Sequence, residues 1–216
     1  MSERSELCES HGEELANTIS HGIGAILSVV ALALMIFLAA PLTAWHVVGV
    51  SVFGSSLILL YSSSAIYHAV TSHRLKRFFQ VLDHAFIFVL IAGSYTPWLL
   101  VNLRGAWGWS MFGAVWGLAL SGVVLKVFLL PRFDKLGTAL YVVMGWLICV
   151  AAKPLLEQVE PLGIAWLVAG GLCYTGGVAF YMMRSKRFAH FAWHLFVMAG
   201  SLCHVVAVVV GVLRPG

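Results

Sequence analysis

Apolar residues run along this chain in long uninterrupted blocks, and the charged residues stand between the blocks. From Leu15 to His73 there is no Asp, Glu, Lys or Arg, a run of 59 residues, whereas one crossing of a bilayer core takes about 20. Two crossings fit there, broken at Pro41-Leu42-Thr43-Ala44-Trp45-His46. Charge-free runs follow from His84 to Leu103, Gly105 to Leu125, Leu136 to Ala152, Pro161 to Met183 and Phe188 to Leu213, each close to one helical span. The pattern predicts an all-α membrane protein, a bundle of seven transmembrane helices near residues 22–40, 47–67, 82–101, 107–127, 136–152, 162–183 and 191–213. Leu15 to Ser20 reads as a short amphipathic lead into the first helix. With no internal repeat or long linker, residues 1–216 are expected to form a single seven-helix domain.

Composition agrees with the pattern: 61% of residues are hydrophobic and 10% charged, against about 45–50% and about 25% in soluble domains. This excludes an ordinary soluble domain, a disordered chain and a disulfide-rich secreted scaffold. Five Glu and one Arg precede the first apolar block, which is unlike the basic opening of a cleavable signal peptide. The lysines and arginines then orient the bundle, because cytoplasmic loops collect positive charge. Ten lie on the side of the N-terminus, at Arg4, Arg74, Lys76, Arg77, Lys126, Arg132, Lys135, Arg184, Lys186 and Arg187. Three, Arg104, Lys153 and Arg214, lie on the other. The expected topology is N-terminus cytoplasmic and C-terminus outside, and the net charge of +4 is a topology signal with no nucleic-acid partner implied. Trp45, Trp98, Trp107, Trp109 and Trp166 fall at the predicted outer ends, as interfacial anchors do. Cys149, Cys173 and Cys203 fall inside spans and Cys8 before the first, without a metal-type pair, so no disulfide is expected.

Ionisable groups at membrane depth are costly and mark functional sites by default. Glu14, His21, His68, Asp83, His84, His190 and His194 all fall at helix ends that this topology places on the cytoplasmic side. His190 and His194 are one helical turn apart and present two imidazoles on one face, a spacing that suits zinc and also arises by accident. Ser64 and His68 share a face of helix two by the same geometry, where a lone histidine could equally reach toward headgroups. Asp83 opens an apolar span, where a helix N-terminus also favours a carboxylate. Together, three imidazoles and a nearby carboxylate have the composition of a catalytic zinc site, with the fourth position left to water. His204 is ten residues beyond His194, about 15 Å along the helix, and reads as a hydrogen-bonded interhelical residue. Pro97 is expected to kink helix three near its outer end.

In these residues the chain resembles the bacterial hemolysin III family, a branch of the progestin and adipoQ receptor superfamily of seven-span membrane proteins. The superfamily's Glu-x-x-Asn-x-x-x-His motif corresponds to Glu14, Asn17 and His21, and its Ser-x-x-x-His motif to Ser64 and His68. Asp83 corresponds to the Asp opening helix three, and His190 and His194 to the His-x-x-x-His of helix seven. The resemblance covers about Glu13 to Leu213. It implies a bacterial inner-membrane protein holding Zn2+ through His68, His190 and His194. Asp83 would be the general base or water-orienting group and Ser64 a supporting donor. Glu14, Asn17 and His21, sharing one face of helix one, would brace the site or take part in substrate binding.

Three functions follow as alternatives. The first is a zinc-dependent hydrolase of a lipid amide or ester, with a membrane lipid as its partner. The second is a non-enzymatic sensor whose zinc ties helices together. The third is a cytolytic pore, which the concentration of polar residues at one face disfavours for a monomer, since a conducting lumen is polar along its full depth. Homo-oligomerisation stays open at this point, and no protein partner is implied.

Overall fold

In the computed structural model, which describes residues 10–129, 134–183 and 185–213, the first helix begins at a capping box. The Glu13 N–H donates to the Ser10 hydroxyl at 3.4 Å, and the Ser10 N–H donates to the Glu13 carboxylate at 3.1 Å. Helix α1 therefore runs His11–Ala39, eleven residues ahead of the expected start at 22, and Leu15 to Ser20 belongs to it. The helix is inside-out. Leu15, Ile19, Ile23 and Ile26 face outward, whereas Asn17, Ser20, His21, Gly24 and Ser28 are buried. In lipid this is the stable arrangement, because only the bundle interior can satisfy polar groups.

The remaining helices are α2 (Ala44–Ala69), α3 (His73–Leu100), α4 (Ala106–Leu129), α5 (Asp134–Gly145), α6 (Ala152–Gln158), α7 (Pro161–Met182) and α8 (Ala189–Gly211). Helix α3 starts nine residues before its expected limit at 82, so Arg74, Lys76 and Arg77 are helical and do not form a loop. Hydropathy hides this start, since the first turns carry the charges, but one buried stripe runs through Lys76, Asp83, Leu90 and Pro97 at two-turn intervals.

The fifth span is not a continuous helix over 136–152. Helix α5 ends at Gly145, a 3-10 segment spans Leu147–Ala151, and α6 completes the crossing at Gln158 with Lys153 inside it. A break at membrane depth must have its freed backbone groups bonded elsewhere, and Tyr95 of α3 supplies the partner. Its hydroxyl lies 2.7 and 2.8 Å from the carbonyl oxygens of Met144 and Gly145 and accepts from the Ile148 N–H at 3.0 Å. Counting α5 to α6 as one, seven helical segments are long and apolar enough to cross a membrane, and the described residues contain no strand.

Sequential neighbours α1, α2, α3 and α4 pack in order, α7 packs on α8, and α8 returns to touch α1. The starts of α1, α3 and α8 and the end of α2 thus gather at one end of the bundle. Pro97 lies inside α3, within its last turn, and packs on α2 at Gly49, where a Cβ would stand 2.9 Å from the Pro97 Cα. Because the obstacle is backbone, Gly49→Ala is expected to cost about 1–3 kcal/mol. The measurement is the unfolding midpoint in a detergent-to-SDS titration, and a wild-type midpoint would refute the contact.

Two further expectations need correction. Trp98 is 1% exposed and sits in the core against Gly211, while Trp107, Trp109 and Trp166 do face outward. Helix α3 carries the Trp98 ring inward together with the buried Pro97, so it is no interfacial anchor. His204 stacks on Tyr174 with centroids 5.3 Å apart and fits over Gly170, but its Nδ1 has no hydrogen-bond partner among the described residues. Ring packing against Tyr174 and Gly170 holds it. Cys149 lies in the 3-10 segment, Cys173 in α7 and Cys203 in α8. Arg4, Cys8, Arg132, Arg184 and Arg214 lie outside the described residues.

Candidate metal centre

His68 stands in the last turn of α2, and His190 and His194 in the first two turns of α8. One ring nitrogen from each lies within 4.8 Å of the others. The ring centroids are 4.8 to 5.2 Å apart. Nitrogens bound to one tetrahedral ion at about 2.0–2.1 Å stand roughly 3.3 Å from each other, which these side chains reach by small rotations. His68 and His194 are buried and His190 is half-buried.

Helix α1 sets the tautomers. Glu14 Oε2 lies 2.8 Å from His68 Nδ1, so the Nδ1–H donates a hydrogen bond to the carboxylate and Nε2 is left as the lone-pair atom. His68 Nε2 is buried with no partner among the described residues, which is the condition expected of a donor facing a cation. Ser20 acts likewise on His194. Its hydroxyl donates to the Asn17 carbonyl at 3.0 Å, and its oxygen lies 3.3 Å from His194 Nδ1, where it can accept. His68 and His194 therefore both direct Nδ1 toward α1 and keep Nε2 free of that contact. This donor set fits a metal ion.

His21 lies flat on His194, with centroids 3.5 Å apart and 6° between planes, and meets Tyr61 edge-on. The lone pairs of parallel rings lie in parallel planes, so His21 supports His194 and is not a fourth donor to the same ion. Glu13 accepts a hydrogen bond from the N–H of Phe188, the residue before α8. Phe188 has φ 59°, a left-handed conformation rare for a bulky side chain, and this clamp sets the turn from which His190 and His194 project.

Asp83, on α3, is buried and outside the three-histidine cluster, but it lines a cavity of about 20 Å³ together with Ser64, His21, His190 and His194. A water needs about 10–15 Å³ of such space, so the cavity is large enough for one. Ser64 lies beside the Asp83 carboxyl, one turn before His68. His84 also lines this cavity, with its Nε2 3.4 Å from the Tyr181 hydroxyl and its carbonyl accepting from Tyr141 at 2.9 Å. Leu60, Ile87, Trp193 and Val197 line both this cavity and a second of about 300 Å³, which lies among α3, α5, α7 and α8 and is almost wholly apolar.

The structure thus brings together every residue that the sequence singled out for the site: His68, His190, His194, Asp83, Ser64, Glu14, Asn17 and His21. Glu13, Ser20 and Lys76 were missed. Ser20 and Lys76 had a signal in helical spacing, three residues from Asn17 and seven from Asp83; Glu13 reaches across 175 residues and had none.

Known proteins match most of the length of this chain. The family model described as "Haemolysin-III related" matches residues 10–205. "Hemolysin-3" of Bacillus cereus is 46% identical over 190 residues, covering 88% of this chain and 87% of that protein. "Hemolysin-3 homolog" of Bacillus subtilis (strain 168) is 45% identical over 88% of this chain and 89% of its own length. The human "Monocyte to macrophage differentiation factor" is a distant relative, 27% identical over 91% of this chain and 83% of its own length. With seven segments able to cross a bilayer and a family model matched over most of its length, the chain belongs to the haemolysin-III family of multi-pass integral membrane proteins.

Proposed function

We propose that this protein is an intramembrane zinc hydrolase that cleaves an amide or ester bond of a membrane lipid. The observation that carries the reading is three convergent histidines beside a buried carboxylate and a water-sized cavity, adjoining an apolar chamber. Three neutral imidazole nitrogens suit zinc and leave one coordination position open. When bound, zinc supplies a Lewis acid and a water whose pKa falls toward about 7. Asp83, whose carboxylate lines the small cavity, would orient such a water and accept a proton on a carboxylate oxygen, and Ser64 lines the same cavity. Glu14, Asn17 and His21 brace the ligands from α1. The 300 Å³ chamber takes the lipid's hydrocarbon, with Leu60, Ile87, Trp193 and Val197 as the wall between chain and site.

The excess of Lys and Arg at the span ends on the site's side of the chain supports a cytoplasmic site in a bacterial inner membrane. A cytolytic reading takes its support from the name of the Bacillus relatives alone, and an apolar chamber is unlike a conducting lumen. The test is metal removal. Purified protein should contain one zinc per chain and release fatty acid from at least one member of a panel of N-acyl and O-acyl lipids. Chelation should abolish release and added zinc should restore it. Stoichiometric zinc without release from any lipid would overturn the hydrolase and favour a structural metal in a sensor.

A further inference from the structure

Lys76 is a lysine in the wrong place. Counted by position it is a loop charge, yet it is 6% exposed, and lysines are almost never buried without a partner. Its ammonium lies 2.7 Å from Glu14 Oε1, 3.3 Å from the Tyr67 carbonyl oxygen and 4.8 Å over the Tyr67 ring. Glu14 passes the contact on, since its other oxygen, Oε2, is the one 2.8 Å from His68 Nδ1. The three side chains form one line from α3 through α1 to α2, and each Glu14 oxygen has a single dedicated partner.

We infer that Lys76 is a positioning residue of the metal centre, acting through Glu14 to hold His68 in its ligating tautomer and orientation. The inference rests on the three-histidine reading of the site. A carboxylate held by His68 alone is free to turn about its last bond toward the polar end of the bundle, and with it goes the acceptor for Nδ1. With Oε1 held by Lys76, and Lys76 itself held by the Tyr67 carbonyl one residue before His68, the carboxylate has one orientation. The ammonium also supplies the counter-charge that a half-buried carboxylate needs. The registration is built into α3, because the buried stripe that carries Lys76 carries Asp83 two turns later. One helix therefore places both the group that steadies a ligand and the carboxylate beside the cavity.

Zinc affinity, measured on the full chain in detergent by competition with a chromophoric chelator, separates this role from simple helix pinning. Outer partners of metal-binding histidines are typically worth 10–100-fold in affinity, so Glu14→Gln should weaken zinc binding by that amount and Lys76→Met by about 10-fold. Because Lys76 acts through Glu14, the double variant should bind within about threefold of Glu14→Gln alone. Lys76→Arg should recover most of the loss, and the visible spectrum of the cobalt-loaded protein should shift in Lys76→Met and return toward wild type in Lys76→Arg. Should Lys76→Met fail to fold, Lys76→Gln carries the same comparison. Wild-type affinity and spectrum in the Lys76 variant would overturn the inference, as would a full additional loss in the Glu14→Gln background. Wild-type protein that takes up no zinc would overturn the three-histidine reading itself. Zinc lost in His68→Ala but kept in Lys76→Met would overturn this inference alone.

Discussion

Replacing His194 with alanine is expected to empty the metal centre at zinc concentrations where the wild-type protein is saturated. Structural zinc sites bind with about 10–16 kcal/mol, and one ligand of three carries a share of about 3–5 kcal/mol, which is about 10²–10⁴ in dissociation constant. His194 is the ligand with the least room to be replaced. It is almost fully enclosed, with the Ser20 hydroxyl beside its Nδ1 and His21 covering its face. Its loss also removes the ring against which His21 lies. His204→Ala, on the same helix but about 15 Å farther along, removes an imidazole stacked on Tyr174 and should leave zinc content unchanged. Metal analysis after equilibration in a zinc buffer reads both variants. Equal zinc in His194→Ala and wild type would show that the ion, if bound at all, sits elsewhere.

What could be read from the chain alone follows physical lines. The spans were visible because lipid demands blocks of apolar residues, and the gaps between charges count them. The clustered histidines were visible because His190 and His194 repeat at one turn, and because His68 sits one turn after Ser64. The start of α1 was obscured by its inverted surface: Asn17, Ser20 and His21 look like an exposed polar lead until packing shows that they face inward. Helix α3 was shortened for the same reason, its first turns being charged, and with them went the chance to see Lys76 and Asp83 on one stripe. The break in the fifth span was invisible because every residue from Gly145 to Ala152 is uncharged, and the partner that permits it, Tyr95, is some 50 residues away. Contacts that tie α1 to α8, Glu13 to Phe188 and Ser20 to His194, depend on tertiary arrangement and leave no local trace. The pattern therefore located the three histidines, whereas the side chains that contact them emerged only from the fold.

Asp83→Asn is expected to separate binding from turnover. Asp83 is not among the three convergent donors, so the variant should keep its zinc. Asn is close in size and still fills the wall of the small cavity beside Ser64, so the bundle should keep its stability. An amide nitrogen cannot accept a proton, however, and its carbonyl is a far weaker base than a carboxylate. General-base catalysis contributes about 10²–10⁴ in rate, and fatty-acid release by the zinc-loaded variant should fall by that factor with KM little changed. Asp83→Ala should lose at least as much, and it also opens space next to the cavity, where a second water can dilute the first one's orientation. The comparison with His194→Ala is then diagnostic: one variant loses metal and activity together, the other activity alone. If Asp83→Asn binds zinc and hydrolyses lipid at the wild-type rate, the buried carboxylate is a structural partner of Ser64 and the proton goes elsewhere. If no lipid is cleaved by either protein while His194→Ala loses zinc and unfolds more easily, the histidines tie α2 to α8 as a structural clip, and Asp83 serves the packing of α3 against it.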